Sequence, residues 1–148
     1  MVDPYDEPEI SNDGVLIRRI DPKQHLSWDH DRQCNRVSTK AFQASTKLKS
    51  GMSIDIEKLI QNDGIDPLQW VTTPRFRGSV WFLAELVRNL GLRVGYEPVV
   101  EDGTVETNPY HGEVWGPAEK PYKITQSQQK QIHAAVEWYV ELEGIAIR

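Results

Sequence analysis

Cysteine occurs once in this chain of 148 residues, at Cys34. A single thiol cannot close an internal disulfide, so the fold must rest on its core, and a reducing cytoplasm is the expected setting. No apolar run approaches the ~20 residues of a membrane span. The first ten residues, MVDPYDEPEI, have no positive region and no apolar stretch, so they are not expected to act as a signal peptide. The compact signatures of common chemistries are missing too: no glycine-rich phosphate loop, no paired C-x-x-C, no H-E-x-x-H and no G-x-S-x-G. The dense Lys/Arg stripe of a dedicated nucleic-acid binder is absent, so neither nucleic acid nor membrane is an expected partner. No metal and no cofactor is assigned. Any site must be assembled from residues scattered along the chain.

What is present suits one domain. A chain of this length buries roughly 68–70% of its unfolded surface, and five Trp, five Tyr and three Phe supply bulky core material. The net charge of −5 is unevenly spread. Residues 1–13 carry five acids and no base, and are expected to form an acidic mobile tail ahead of a domain spanning 14–148. Residues 14–50 sum to +5 and residues 51–148 to −5. The two parts either attract each other within one fold, or the basic part meets an anion such as a phosphate.

Local patterns predict the elements. Val15 to Ile20 reads as a first strand. Residues 21–36 show no sustained period and read as a long loop, which Trp28 argues is not fully disordered. Val37 to Phe42 reads as a second strand. Met52 to Glu57 alternates apolar and polar as a strand does, although Ser53 also fits as the cap of a helix running to Ile60. Trp70 and Val71, between Pro67 and Pro74, read as another short strand. Ser79 is the expected cap of a central, largely covered helix through Val80, Leu83, Ala84, Val87 and Leu90, stopped by Gly91. Leu92 to Val100 and Tyr110 to Trp115 read as a β-hairpin with a turn at Asp102-Gly103. Thr125 with Gln128 forms a capping box for a last helix through Ile132, Val136 and Val140, ended by Gly144. Consecutive strands favour antiparallel pairing. The expected class is α+β, a mostly antiparallel sheet packed against a buried central helix and a C-terminal helix.

Three groups of residues carry candidate chemistry. Asp29-His30-Asp31, with His25 nearby, has ligand types but diverging side chains, and reads as a solvated loop. Arg18, Arg19, Arg36, Arg75 and Arg77, with Ser38, are the candidate ligand-binding set. Arg18 and Arg19 are neighbours on a strand and point to opposite faces, so one of them faces inward and needs a carboxylate such as Glu113 or Asp55, or an anionic ligand. His111 and Glu113 lie two apart on one strand face, which suits an acid–base pair and equally an ordinary brace. Cys34 lacks a neighbouring base, and His133 reads as a packing residue beside the last helix.

The stretch Asn108 to Gly116 fits N-P-x-H-x-x-V-x-G, and Arg36, Ser38, Ala41 and Phe42 fit R-x-S-x-x-A-F. With the apolar-Arg-Arg segment at residues 15–20, these resemble small uncharacterised bacterial proteins, a kind often carried by mobile elements such as integron cassettes. That resemblance implies no activity. The order Arg18 or Arg19, Ser38-Thr39, Glu113 also resembles that of Arg-type ADP-ribosyltransferases. Here His111-Gly112-Glu113 stands for their E-x-E, and Ser38-Thr39-Lys40 for their Ser-Thr-Ser.

Three functional expectations follow. The first is a cytoplasmic binding protein for a polar or anionic small ligand or a protein partner. The second is an enzyme using His111 and Glu113 on an anionic substrate held by Arg18 or Arg19. The third is a toxin–antitoxin or defence accessory protein, suggested by the surplus of Trp and Tyr. The apolar C-terminal tail and the aromatic last helix also leave a homodimer open.

Overall fold

The protein is described by a computed structural model that covers residues 2–99 and 107–148. In chain order it runs β1 (Val15–Ile20), β2 (Leu26–Asp29), β3 (Cys34–Val37), a 3-10 turn (Thr39–Phe42), β4 (Met52–Ile56), α1 (Glu57–Asn62) and α2 (Pro67–Val71). There follow β5 (Gly78–Leu83), α3 (Ala84–Asn89), β6 (Arg93–Tyr96), β7 (His111–Trp115), α4 (Gln126–Ala135) and β8 (Glu137–Val140). Six strands form one sheet in the order β6-β7-β4-β1-β5-β8, every pairing antiparallel, while β2 and β3 form a separate hairpin. This is an α+β fold.

Strand alternation divides the sheet into two faces. Leu16, Arg18 and Ile20 of β1 stand opposite Phe82, Val80 and Gly78 of β5. On the same side, Met52 and Ile54 of β4 stand opposite Val114 and Gly112 of β7. This face holds the main core, which reaches Phe42 of the 3-10 turn, Val87 of α3, Ile132 of α4 and Val136 just beyond it. The other face carries Ile17 and Arg19, Ser53 and Asp55, His111 and Glu113. Its apolar part is a smaller cluster of Ile17, Ile60, Val71 and Tyr110, supplied by α1, α2 and the start of β7. The rest of that face carries the polar residues just named together with Trp81 opposite Ile17 and the buried Trp115 two residues beyond Glu113.

Several expected elements take another form. Gly78–Leu83 is a strand, and the helix begins only at Ala84. GSVWFL is apolar nearly all round, as a strand covered on both sides must be, and periodicity cannot separate that from a buried helix. The first half of the segment expected as the central helix is therefore the sheet strand between β1 and β8, and its second half is the short helix α3. Pro67–Val71 is a helical turn rather than a strand, with Pro67 at its first position and Asp66 accepting from the Leu68 N–H. The long loop 21–36 contains the β2/β3 hairpin, and the second strand expected at 37–42 is the 3-10 turn capped by Ser38. The last helix keeps its Thr125–Gln128 capping box but stops at Ala135, and Glu137–Val140 pairs with β5. The turn at Asp102-Gly103 lies outside the described residues.

Of residues 2–13, expected as a tail, residues 2–7 lie along β6, while Ile10 enters the main core and Asn12 O accepts from the Glu85 N–H of α3. The Glu7 N–H donates to Val94 O (2.8 Å), and the Tyr96 N–H donates to the Tyr5 hydroxyl (2.9 Å). Asp6 pairs with Arg88 at 3.1 Å. The edge of the sheet is thereby covered. No helix among the described residues is long and apolar enough to cross a membrane.

Candidate functional site

The site grows from the β6/β7 ladder. Its register sets Gly95 opposite Glu113 and Tyr96 opposite Gly112. Two residues back from Glu113, His111 lies on the same face, and Glu97 follows Tyr96 directly. Main-chain bonding continues past the strand, the Glu97 N–H donating to His111 O at 3.0 Å. The result is a cluster in which Glu97, His111 and Glu113 each offer one atom, all within 4.8 Å of one another.

Each member is held differently. His111 Nδ1 lies 2.6 Å from the Glu97 main-chain oxygen. A carbonyl only accepts, so Nδ1 carries the proton, and in the neutral ring Nε2 keeps its lone pair. Glu97 Oε1 accepts from the Val2 N–H at 3.2 Å. Glu113 is 6% exposed, and its buried Oε2 meets no hydrogen-bond donor among the described residues. The Glu97 carboxyl lies within 4.8 Å of it, and two carboxyls bond each other only by sharing a proton. Burial first, then that hydrogen bond and the Glu97 charge, push Glu113 up to about 8, while Arg18 and Lys123 pull the other way.

The neighbouring basic groups are committed to the protein. The β1/β4 ladder registers only Leu16 with Ile56 and Ile17 with Asp55. Beyond it, Arg18 supplies donors in place of the main chain, Nε to Ala41 O and one terminal nitrogen to Ser53 O, both at 2.9 Å. Burial lowers Arg18 to about 10, with Glu113 and Asp55 opposing the shift. Arg19, on the other face, grips Asp55 through two hydrogen bonds of 2.8 and 3.2 Å. Asp55 is 3% exposed and also accepts from Asn108 Nδ2 at 2.9 Å. The internal Asp55 partner weighed from sequence thus belongs to Arg19.

The remaining sequence candidates lie apart from this cluster. Arg75 donates to Asp21 at 3.0 Å. Arg36 stands 3.9 Å from Asp29. Arg77 is exposed, and the Ser38 hydroxyl caps the 3-10 turn by accepting from the Lys40 N–H. In the Asp-His-Asp loop, Asp29 Oδ1 already accepts from the N–H groups of Asp31 and Arg32, the geometry of a solvated turn. His25 is buried separately, its Nδ1 accepting from the Asp21 N–H at 2.9 Å. Burial and the nearby Arg18 and Arg75 charges lower it to about 4, against Asp21. His133 Nε2 lies between Val37 O and Ile147 O at 2.9 and 2.8 Å, tying α4 to β3 and the C-terminal tail as a packing residue. Cys34 is partly buried and free.

Of the residues singled out from sequence, His111 and Glu113 come together, with Arg18 close enough to Glu113 to pull on its charge. Sequence reasoning missed Glu97. The expected hairpin was the one signal for it, since whichever residue faces His111 across the ladder joins the site, but the register could not be read through a connection as long as 97–110. Asn108 stands in the sequence only as part of the N-P-x-H-x-x-V-x-G stretch. Its Oδ1 accepts from the Tyr110 N–H while Nδ2 reaches Asp55, so it shapes the approach to β7.

No protein-family model matches the chain, and comparison with the curated proteins and with the solved structures finds no significant match.

Proposed function

We propose that the chain is a binding protein for a small polar ligand that donates hydrogen bonds or carries positive charge, held where β6 and β7 present Glu97, His111 and Glu113. The observation that carries this reading is Glu113, a nearly fully buried carboxyl with an oxygen that meets no donor among the described residues. Leaving such a group unsatisfied costs about 1–3 kcal/mol, and buried polar atoms without partners are uncommon enough to need a reason. A ligand that donates to Glu113 and is accepted by His111 Nε2 supplies one. An anionic ligand has less support, because Arg18, Arg19 and Arg75 already donate to Ala41 and Ser53, to Asp55 and to Asp21. Cytoplasmic residence is supported by the single, unpaired Cys34.

A second reading is acid–base catalysis at the same place. It is favoured by a Glu113 carboxyl that titrates at about 8, close to neutral pH, beside an imidazole with a free ring nitrogen.

The test is a thermal-shift screen of the full chain at pH 7 against amines, sugars, nucleosides and metal ions. A ligand at 100 times its Kd adds ~2.7 kcal/mol, which at about 2–4 °C per kcal/mol for a chain of this size is a rise of roughly 5–11 °C. The reading expects at least one such rise, lost in Glu113→Gln. A flat screen, or a response that Glu113→Gln keeps in full, contradicts it.

A further inference from the structure

We propose that Glu97, His111 and Glu113 form a three-ligand site for a divalent first-row transition cation, zinc foremost. The proposal deepens the binding reading above and rests on it, naming the ligand as a metal ion.

Three observations converge. The first is the donor set, two carboxylates and one imidazole with ligand atoms mutually within 4.8 Å. Contraction of such a cluster onto one ion brings the donors to the ~2.0–2.2 Å that zinc takes from nitrogen and oxygen. Mixed N/O donors suit zinc and its neighbours, whereas magnesium prefers an all-oxygen octahedron that retains water.

The second is the orientation of His111. Metal-bound histidines commonly donate their other ring N–H to a carbonyl or carboxylate, which fixes the tautomer and aims the free nitrogen. His111 makes that bond through Nδ1 to the Glu97 carbonyl at 2.6 Å. One residue of the set thus orients another through its main chain while offering its own carboxylate.

The third is Glu113 itself. It is 6% exposed, and Oε2 has no donor among the described residues. Two carboxyls lie within 4.8 Å of each other there, and a dication held between them would balance both charges. Three protein ligands leave at least one coordination position open, the arrangement of sites that hold water or a substrate atom rather than of closed structural sites. The Asp-His-Asp loop lacks these features, since the Asp29 carboxylate is spent on its own turn and His30 is exposed. It serves as the internal control.

The experiment is calorimetric titration of Zn2+, Mn2+ and Mg2+ into the full chain after EDTA treatment and desalting. Wild type is compared with Glu113→Gln, Glu97→Gln, His111→Ala and the control Asp31→Asn, and circular dichroism confirms that each is folded. The expected result is one Zn2+ per chain, weakened at least tenfold by each of the three site substitutions and unchanged in Asp31→Asn. If Glu113→Gln fails to fold, Glu97→Gln at its half-exposed position carries the comparison. Absence of heat with all three cations overturns the proposal, as does wild-type zinc affinity in Glu97→Gln and His111→Ala. A thermal-shift screen of organic ligands run in EDTA separates the two levels. An organic ligand that needs Glu113, without any cation response, overturns the metal and leaves the binding reading standing. Silence toward both overturns both.

Discussion

Glu113 faces Gly95 across the β6/β7 ladder, and the absent side chain at Gly95 is what lets two aromatic rings close over that stretch of sheet. A Cβ placed on Gly95 would stand 2.5 Å from the Tyr5 ring and 2.9 Å from Trp115. Those rings pack together, their centroids 5.9 Å apart. Residues 2–13 are thereby tied to the strand that carries the candidate site.

Gly95→Ala is therefore expected to push Tyr5 off the sheet. Overpacking of this kind costs about 1–3 kcal/mol. The check is a double-mutant cycle by urea denaturation. In a Tyr5→Ala background the same substitution is expected to cost measurably less, because residues in contact couple while distant ones add. Equal costs in both backgrounds would show that Tyr5 does not occupy the place left by Gly95.

Asp55 is the anchor beside the site. It accepts from Arg19 and Asn108 and is nearly fully buried. Asp55→Ala leaves the Arg19 charge without its partner, a change that costs about 3–5 kcal/mol where the pair is buried. By contrast, removing the exposed Arg148–Glu137 pair with Glu137→Ala is expected to cost about 0–1 kcal/mol. Urea midpoints of the two variants measure the contrast.

His25 predicts a pH dependence with a definite sign. Its folded value of about 4 lies below the ordinary 6.5, held down by burial and by Arg18 and Arg75 while Asp21 opposes. Between those values the unfolded chain binds more protons than the folded one, so stability rises with pH across that window. The contribution is complete above pH 6.5 and is lost as pH falls through 6.5 toward 4. Urea midpoints measured from pH 4 to 7 are expected to flatten across this range in His25→Gln. A slope unchanged by that substitution would contradict the assignment.

Much of the scaffold was legible because its signals are local. β1 at Val15–Ile20, the Thr125–Gln128 box and the antiparallel pairing of the segments around Tyr96 and Val114 all follow from short patterns. The failures share one cause, tertiary covering. Gly78–Leu83 is buried on both sides and so lost the alternation that marks a strand. Val136 and Val140 fit the spacing of a helix whose ladder in fact ends at Ala135, because Glu137–Val140 pairs with β5 instead. Two of the three site residues were legible as well, since His111 and Glu113 share a face by spacing alone. Glu97 was not, because only the register across a long connection brings it there.

The most direct test of the account is the ring state of His111, read from two-bond 15N–1H spectra of the histidine side chains before and after Zn2+ is added. The metal-free protein is expected to carry a proton on His111 Nδ1 and none on Nε2. On adding zinc, the Nε2 resonance of His111 should move while His30 stays in place. A proton found on Nε2 instead, or a His111 that ignores zinc while His30 responds, would contradict it.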